Sequence, residues 1–133
     1  TCAFDGKMKE SVKEMLGRVS RYIKVFIITS DTYGNIDSEG NTIGFSIIKV
    51  GKESSAQEKA KIIKELGPEK IVAIGNGSND VLMLKEASLG IGVIGEEGCS
   101  KDVLKEADFF VKDVNDALSI LLHPERIIAT LRD

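Results

Sequence analysis

Short apolar runs rich in β-branched residues alternate with amphipathic stretches along nearly the whole chain, and this alternation constrains the fold more than any other feature. The run from Lys24 to Thr29 is apolar on both faces, which suits a strand buried in a parallel sheet. Phe45 to Val50, Lys70 to Ile74, Leu89 to Ile94 and Phe109 to Val111 read as further strands. Between them, residues 9–22 carry Val12, Met15, Leu16, Val19 and Tyr22 at the spacing of one helical face. Residues 54–66 form a second helix, with Ser54 or Ser55 as its cap, Gly67-Pro68 as its stop, and Ala56, Ala60, Ile63 and Leu66 as its buried stripe. Helices over 79–87, 99–107 and 114–122, and a last one from Pro124 to Arg132, complete the series. The expected fold class is α/β: a three-layer, Rossmann-like parallel sheet with helices on both faces.

In open sheets of this kind ligands bind beyond the carboxyl ends of the strands. Three polar clusters follow strands: Thr29-Ser30-Asp31-Thr32, Gly75-Asn76-Gly77-Ser78-Asn79-Asp80 and Gly95-Glu96-Glu97-Gly98. The architecture would bring them to one edge. The second is the strongest signal, because a strand runs into a glycine-rich turn and then a helix. Gly75 and Gly77 permit close approach of a ligand, and the helix start offers N–H groups suited to an anion. The plainer reading is that Asn79 or Asp80 caps the helix. A dinucleotide fingerprint fails on spacing, since its third glycine would fall at Asp80. Thr29 and Ser30 can donate to an anion, or belong to an ordinary turn. Lys59 can neutralise charge, or sit on a solvated helix face, with Lys52, Lys61 and Lys64 as rivals.

Composition narrows the classes of function. The 133 residues allow one domain with a sizeable core, and the net charge of -3 argues against nucleic-acid binding. No apolar run approaches the roughly 20 residues that span a bilayer, and no signal peptide is visible, so no membrane role is expected. Two cysteines, Cys2 and Cys99, fit a reduced, cytoplasmic setting better than a disulfide framework. With His123 the only histidine and two cysteines, a zinc site of the usual His/Cys kind is not expected. His123 is expected at the surface near a helix end, Glu96-Glu97 in a solvated loop, and Cys99 partly buried and unreactive.

Taken together, the clusters resemble the haloacid-dehalogenase superfamily, and in particular the phosphorylation domain of P-type ATPases and its soluble relatives. Members carry a strand ending in a threonine, often T-G-D, which matches Thr29-Ser30-Asp31. They carry a lysine before the last motif, which matches Lys59-Ala60. They then carry G-D-G-x-N-D and A-x-x-G-I-A, which match Gly75 to Asp80 and Ala87 to Gly92, and an A-D that matches Ala107-Asp108. The family's first motif, D-x-D-G-T, is absent. Thr1 is read as its final threonine, which puts the nucleophilic aspartate upstream. Ala3 to Lys7 is a poorer match, because Ala3 would hold the nucleophile's place.

The resemblance implies one domain over residues 1–133, lacking an N-terminal strand upstream of Thr1 and with a minimal cap or none, the loop over about 33–52 being too short for one. It implies a Mg2+-dependent phosphohydrolase acting through an aspartyl-phosphate. Thr29, Lys59 and Asp80 would be catalytic. Thr29, Ser30, Lys59 and Asn79 would hold phosphate, and Asn76 and Asp80 the magnesium. Asn76 departs from the usual aspartate, so metal affinity should be weaker. Asp31 would organise its loop. An open site would admit a phosphorylated small molecule or protein, or be closed by another subunit of a homo-oligomer. The alternative is a regulatory module that binds phosphate or magnesium without turnover. A domain cut from an ion pump is less favoured, since no membrane segment is visible and the chain is read as ending naturally after Arg132-Asp133. Without its first strand the chain should fold poorly alone and tend to associate.

Overall fold

The computed structural model describes residues 3–4, 7–30 and 45–131. A two-residue hairpin opens the fold: β1 (Ala3–Phe4) pairs antiparallel with β2 (Lys7–Met8). Periodicity gave no warning of it, because two residues per strand leave no period to read. Helix α1 (Glu10–Ser20) follows, burying Val12, Leu16 and Val19, while Tyr22 stays exposed just beyond its end. Strands β3 (Phe26–Thr29) and β4 (Ser46–Lys49) pair in parallel, with Ile27 opposite Ile47. Asp31, Thr32 and most of the loop expected to exclude a cap lie outside the described residues, as do Thr1 and Cys2.

Helix α2 (Ser55–Leu66) ends at Gly67, whose φ of 96° breaks the helical path. A short 3-10 turn, Pro68–Lys70, leads into β5 (Val72–Gly75), so this strand begins two residues later than its pattern predicts. A second 3-10 turn, Ser78–Asp80, starts α3 (Val81–Glu86). Next come β6 (Leu89–Val93), α4 (Lys101–Glu106), β7 (Phe109–Val111), α5 (Val114–Leu121) and α6 (Pro124–Leu131). Strands β5, β6 and β7 form a parallel group in that order. Among the described residues no helix is long and apolar enough to cross a membrane.

Two apolar clusters show how the layers close. On one face α1 and α5 bury Val12, Leu16, Val19, Val114 and Leu118 against Ile27, Ile47 and Ile74. On the other, Ile63 of α2, Met83 and Leu84 of α3 and Val103 of α4 pack with Ala73 and Ile28. Neighbours along one strand, Ile27 and Ile28, thus serve opposite faces, as the pleat requires. Each cluster draws on both strand groups, so the groups form one layer between two helical layers. That layer is interrupted: β3–β4 and β5–β6–β7 are separate sheets.

Helices α4 and α5 are fixed by local caps. Ser100 Oγ accepts from Val103 N at 3.2 Å, and Asp113 Oδ1 accepts from Asn115 N at 2.7 Å. Ser100→Ala and Asp113→Ala are each expected to cost about 1 kcal/mol, read as a lower denaturation midpoint with an unchanged slope.

Candidate functional site

The interruption in the sheet is a cavity of about 830 Å³. Thr29 and Ser30 line it from the end of β3, and Asn76, Asn79 and Asp80 from the turn after β5. Lys59 reaches it from α2. The residues singled out from sequence for catalysis, phosphate and metal binding therefore share one cavity, near the carboxyl ends of two parallel strands. Glu96 and Glu97 are exposed in their own loop, where Glu96 meets Lys9 at 2.7 Å.

Lys59 and Asp80 form the centre of the arrangement. Lys59 Nζ donates to Asp80 Oδ1 at 2.7 Å, and the two residues are only 7% and 6% exposed. The solvated-face reading of Lys59 is thus overturned. Ser55, Lys59 and Ile63 are all buried at successive i, i+4 steps, which puts the lysine on the helix's apolar stripe. Ala56 and Leu66, expected in that stripe, are half-buried and exposed respectively.

The other carboxylate oxygen of Asp80 folds back onto its own turn. Oδ2 accepts from Asn76 N at 3.0 Å and from Gly77 N at 3.1 Å. Asp80 therefore does not cap α3 as expected: its side chain makes no bond to that helix, and Oδ2 instead closes the turn that precedes it. The turn needs a glycine at 75, because a Cβ there would lie 2.6 Å from the Asp80 Cβ. Asn76 and Asn79 fasten the turn to its surroundings. Asn76 Nδ2 donates to Gly98 O at 3.3 Å, and Ser100 N donates to Asn76 O at 2.8 Å. Asn79 Nδ2 donates to Ser55 Oγ at 3.2 Å. Ser55, buried at the start of α2, was read from sequence only as a cap; its place on the same stripe as Lys59 was the available signal.

Cys99 and Glu58 titrate away from their usual ranges. Cys99 is held above the usual thiol range, first by burial and then by the charge of Asp80, both of which disfavour the thiolate. Glu58 is held below the usual carboxylate range, chiefly by the Ser54 hydroxyl and then by Gly51 N–H. A carboxyl with a depressed folded pKa stabilises the native state at higher pH, and that contribution fades as pH falls through the folded value. Ser54→Ala is expected to raise the Glu58 pKa measured by NMR titration, because the hydroxyl that lowers it is removed.

A magnesium ion fits this donor set only in part. Among the described residues no three His, Cys, Asp or Glu side chains cluster to hold a metal. The cavity offers one carboxylate, Asp80, and the amide of Asn76. That suits an ion held largely by water and substrate phosphate, with another carboxylate from outside the described residues.

Residues 2–88 match the family described as haloacid dehalogenase-like hydrolase. An uncharacterized protein of Methanocaldococcus jannaschii is 50% identical over 93 residues, covering 65% of this chain and all of that protein. The phosphoserine phosphatase of Archaeoglobus fulgidus is 40% identical over 62 residues, which span 42% of this chain and 17% of the phosphatase. Among solved structures, the catalytic domain of a CPx-ATPase superposes with a TM-score of 0.66 at 18% identity, covering 85% of this chain and 44% of that one. This last likeness is one of fold.

Proposed function

Because the chain belongs to the haloacid dehalogenase-like hydrolase family, we propose that it is the core of a phosphohydrolase that transfers phosphate through an aspartyl-phosphate. The observation carrying this reading is the single cavity shared by Thr29, Lys59 and Asp80, with a buried lysine beside a buried carboxylate. We assign the nucleophile to an aspartate upstream of Thr1. Its carboxylate oxygen would bond to phosphorus as the substrate's ester P–O bond breaks and the alcohol leaves. Water would then cleave the acyl phosphate, releasing inorganic phosphate and restoring the carboxylate.

The groups described here bind and orient the phosphate. The Thr29 hydroxyl and the Asn79 amide supply hydrogen bonds to its oxygens. An ammonium group has three donors; Lys59 directs one at Asp80, and the others are suited to phosphate oxygens at the cavity. Asp80 holds Lys59 in place and braces the glycine turn. When bound at Asp80 and Asn76, magnesium would supply charge stabilisation to the phosphate. Most of the catalysis would be positioning and electrostatics.

The test is hydrolysis of p-nitrophenyl phosphate, with magnesium or with EDTA, by the chain carrying its upstream residues. Lys59→Met and Asp80→Asn should each lower kcat by roughly 100-fold or more. Turnover indifferent to both substitutions would sink the reading. Phosphate binding without turnover would point instead to a regulatory module.

Asn76→Asp tests the metal assignment. It adds a charge beside Asp80 and is expected to tighten Mg2+ binding by about tenfold. It also sets a carboxylate against the Gly98 carbonyl that Asn76 Nδ2 now meets, at a cost of about 1–3 kcal/mol in stability. Calorimetry with magnesium alone and denaturant unfolding read the two effects separately.

A further inference from the structure

We propose that two copies of this chain associate about a twofold axis at β7, each strand pairing antiparallel with its copy at Phe110. β7 is the last strand of its group and has β6 on one side only. Val111 O accepts from Ile94 N at 2.9 Å, and Val111 stands in register with Val93. In a parallel ladder the N–H and C=O of one residue point to the same side, and those of the next residue point to the other. The main-chain groups of Phe110 therefore point away from β6, over the open edge. With a twofold axis at this residue, each Phe110 N–H donates to the C=O of the other copy. The pairing satisfies an edge that a lone strand leaves open.

The side chains along this edge are matched to a copy of themselves. The run Asp108-Phe109-Phe110-Val111-Lys112 carries an acid two residues before Phe110 and a base two residues after it. Antiparallel pairing centred on Phe110 sets Asp108 of one copy opposite Lys112 of the other at both ends of the strand, and opposite charges so placed attract. Both residues are exposed, and Asp108 Oδ2 accepts from Gly90 N at 2.7 Å, which fixes the carboxylate beside the edge. Phe110 is 48% exposed and would meet its own copy on one face of the joined sheet as an aromatic pair. β4, also paired on one side only among the described residues, lacks this match: Phe45 to Gly51 offers no acid to the Lys49 of a second copy.

The place of β7 decides what such a dimer does to the site. β6 stands between β7 and β5, and it is β5 that lines the cavity with β3. A second copy on β7 therefore joins the two parallel groups into one sheet without covering Thr29, Lys59 or Asp80. The dimer leaves both sites open to substrate, instead of closing one with the other. This inference stands on the strand edge and its charges and does not depend on turnover.

Sedimentation velocity across the micromolar to millimolar range tests it, and the chain should dimerise reversibly there. Phe110→Lys puts like charges at the axis, and Lys112→Asp puts a like charge opposite Asp108 at both ends. Each should weaken the dimer by roughly tenfold or more. Asp108→Lys should do the same alone. Mixed in equal amounts, the Lys112→Asp and Asp108→Lys chains should recover association, because every charge in the mixed pair again faces its opposite. Asp108 also holds Gly90 N, so circular dichroism checks that its variant is folded. If it is not, Phe110→Lys and Lys112→Asp, both at exposed positions, decide the matter between them. A chain that stays monomeric throughout overturns the proposal. So does association that neither exposed substitution weakens, which would mean that the copies meet at another surface, and so does a mixture of two folded variants that remains monomeric.

Discussion

Lys59→Met is expected to lower stability by about 3–5 kcal/mol, because it leaves a buried carboxylate without its counter-charge. The pair is enclosed: Nζ and Oδ1 meet at 2.7 Å with both residues nearly inaccessible. The two main-chain N–H groups on Oδ2 remain, so Asp80 keeps part of its support. Lys61→Ala is the internal control. The Lys61 side chain is 75% exposed and 3.9 Å from Glu65, so its loss should change stability by about 0.5 kcal/mol at most. Inorganic phosphate binding in the presence of magnesium should fall more than roughly tenfold with Lys59→Met, equivalent to at least about 1.4 kcal/mol, and hardly at all with Lys61→Ala. Denaturant unfolding and phosphate titration of both variants check this, and equal effects would mean that the wrong lysine has been chosen. The double variant Lys59→Met/Asp80→Leu separates the pair from its packing. If the cost of the single change comes from the stranded charge, removing the carboxylate as well should recover much of it.

Gly75→Ala should produce a loss of about 3 kcal/mol together with loss of phosphate binding, through the same carboxylate from the opposite side. An added methyl would lie 2.6 Å from Asp80 Cβ and 2.7 Å from both its Cγ and its Oδ2. None of these atoms is the far end of a flexible chain, because Asp80 is held by Lys59 and by its own turn. Either β5 or the turn must shift, and overpacking of that kind costs about 1–3 kcal/mol or more. Gly95→Ala is the contrast: its new methyl would meet Val93 Cγ1 at an ordinary 3.7 Å and should be close to neutral. Because Gly75→Ala and Lys59→Met both act on Asp80, their effects should sum to less than the two separate costs, whereas Asp113→Ala, acting on a separate helix cap, should add to either. Strict additivity of Gly75→Ala with Lys59→Met would show that the glycine supports something other than the ion pair.

The parts of this protein that read easily from sequence were those set by local pattern. The α1 stripe of Val12, Leu16 and Val19 and the two-faced run at Ile27-Ile28 declare a helix and a buried strand with no knowledge of their partners. Gly75, Gly77 and Asp80 likewise declared a tight turn. The start of β5 was misplaced by two residues because Pro68–Lys70 forms a 3-10 turn, in which apolar spacing carries no information. Lys59 was singled out among four lysines only by resemblance, although its spacing from Ser55 and Ile63 already marked it as the inward one. The hairpin of β1 and β2 went unread because strands of two residues carry no period.

Alone, the sequence determined the order of the helices and strands from α1 onward and which turns carry polar side chains, because helix and strand periods and turn chemistry are properties of neighbouring residues. Only the tertiary structure decided that Lys59 meets Asp80 and that the sheet opens into a cavity between β3 and β5. Those outcomes depend on groups tens of positions apart. They are selected by the burial of charge and of main-chain donors in the assembled layers, which no local pattern encodes.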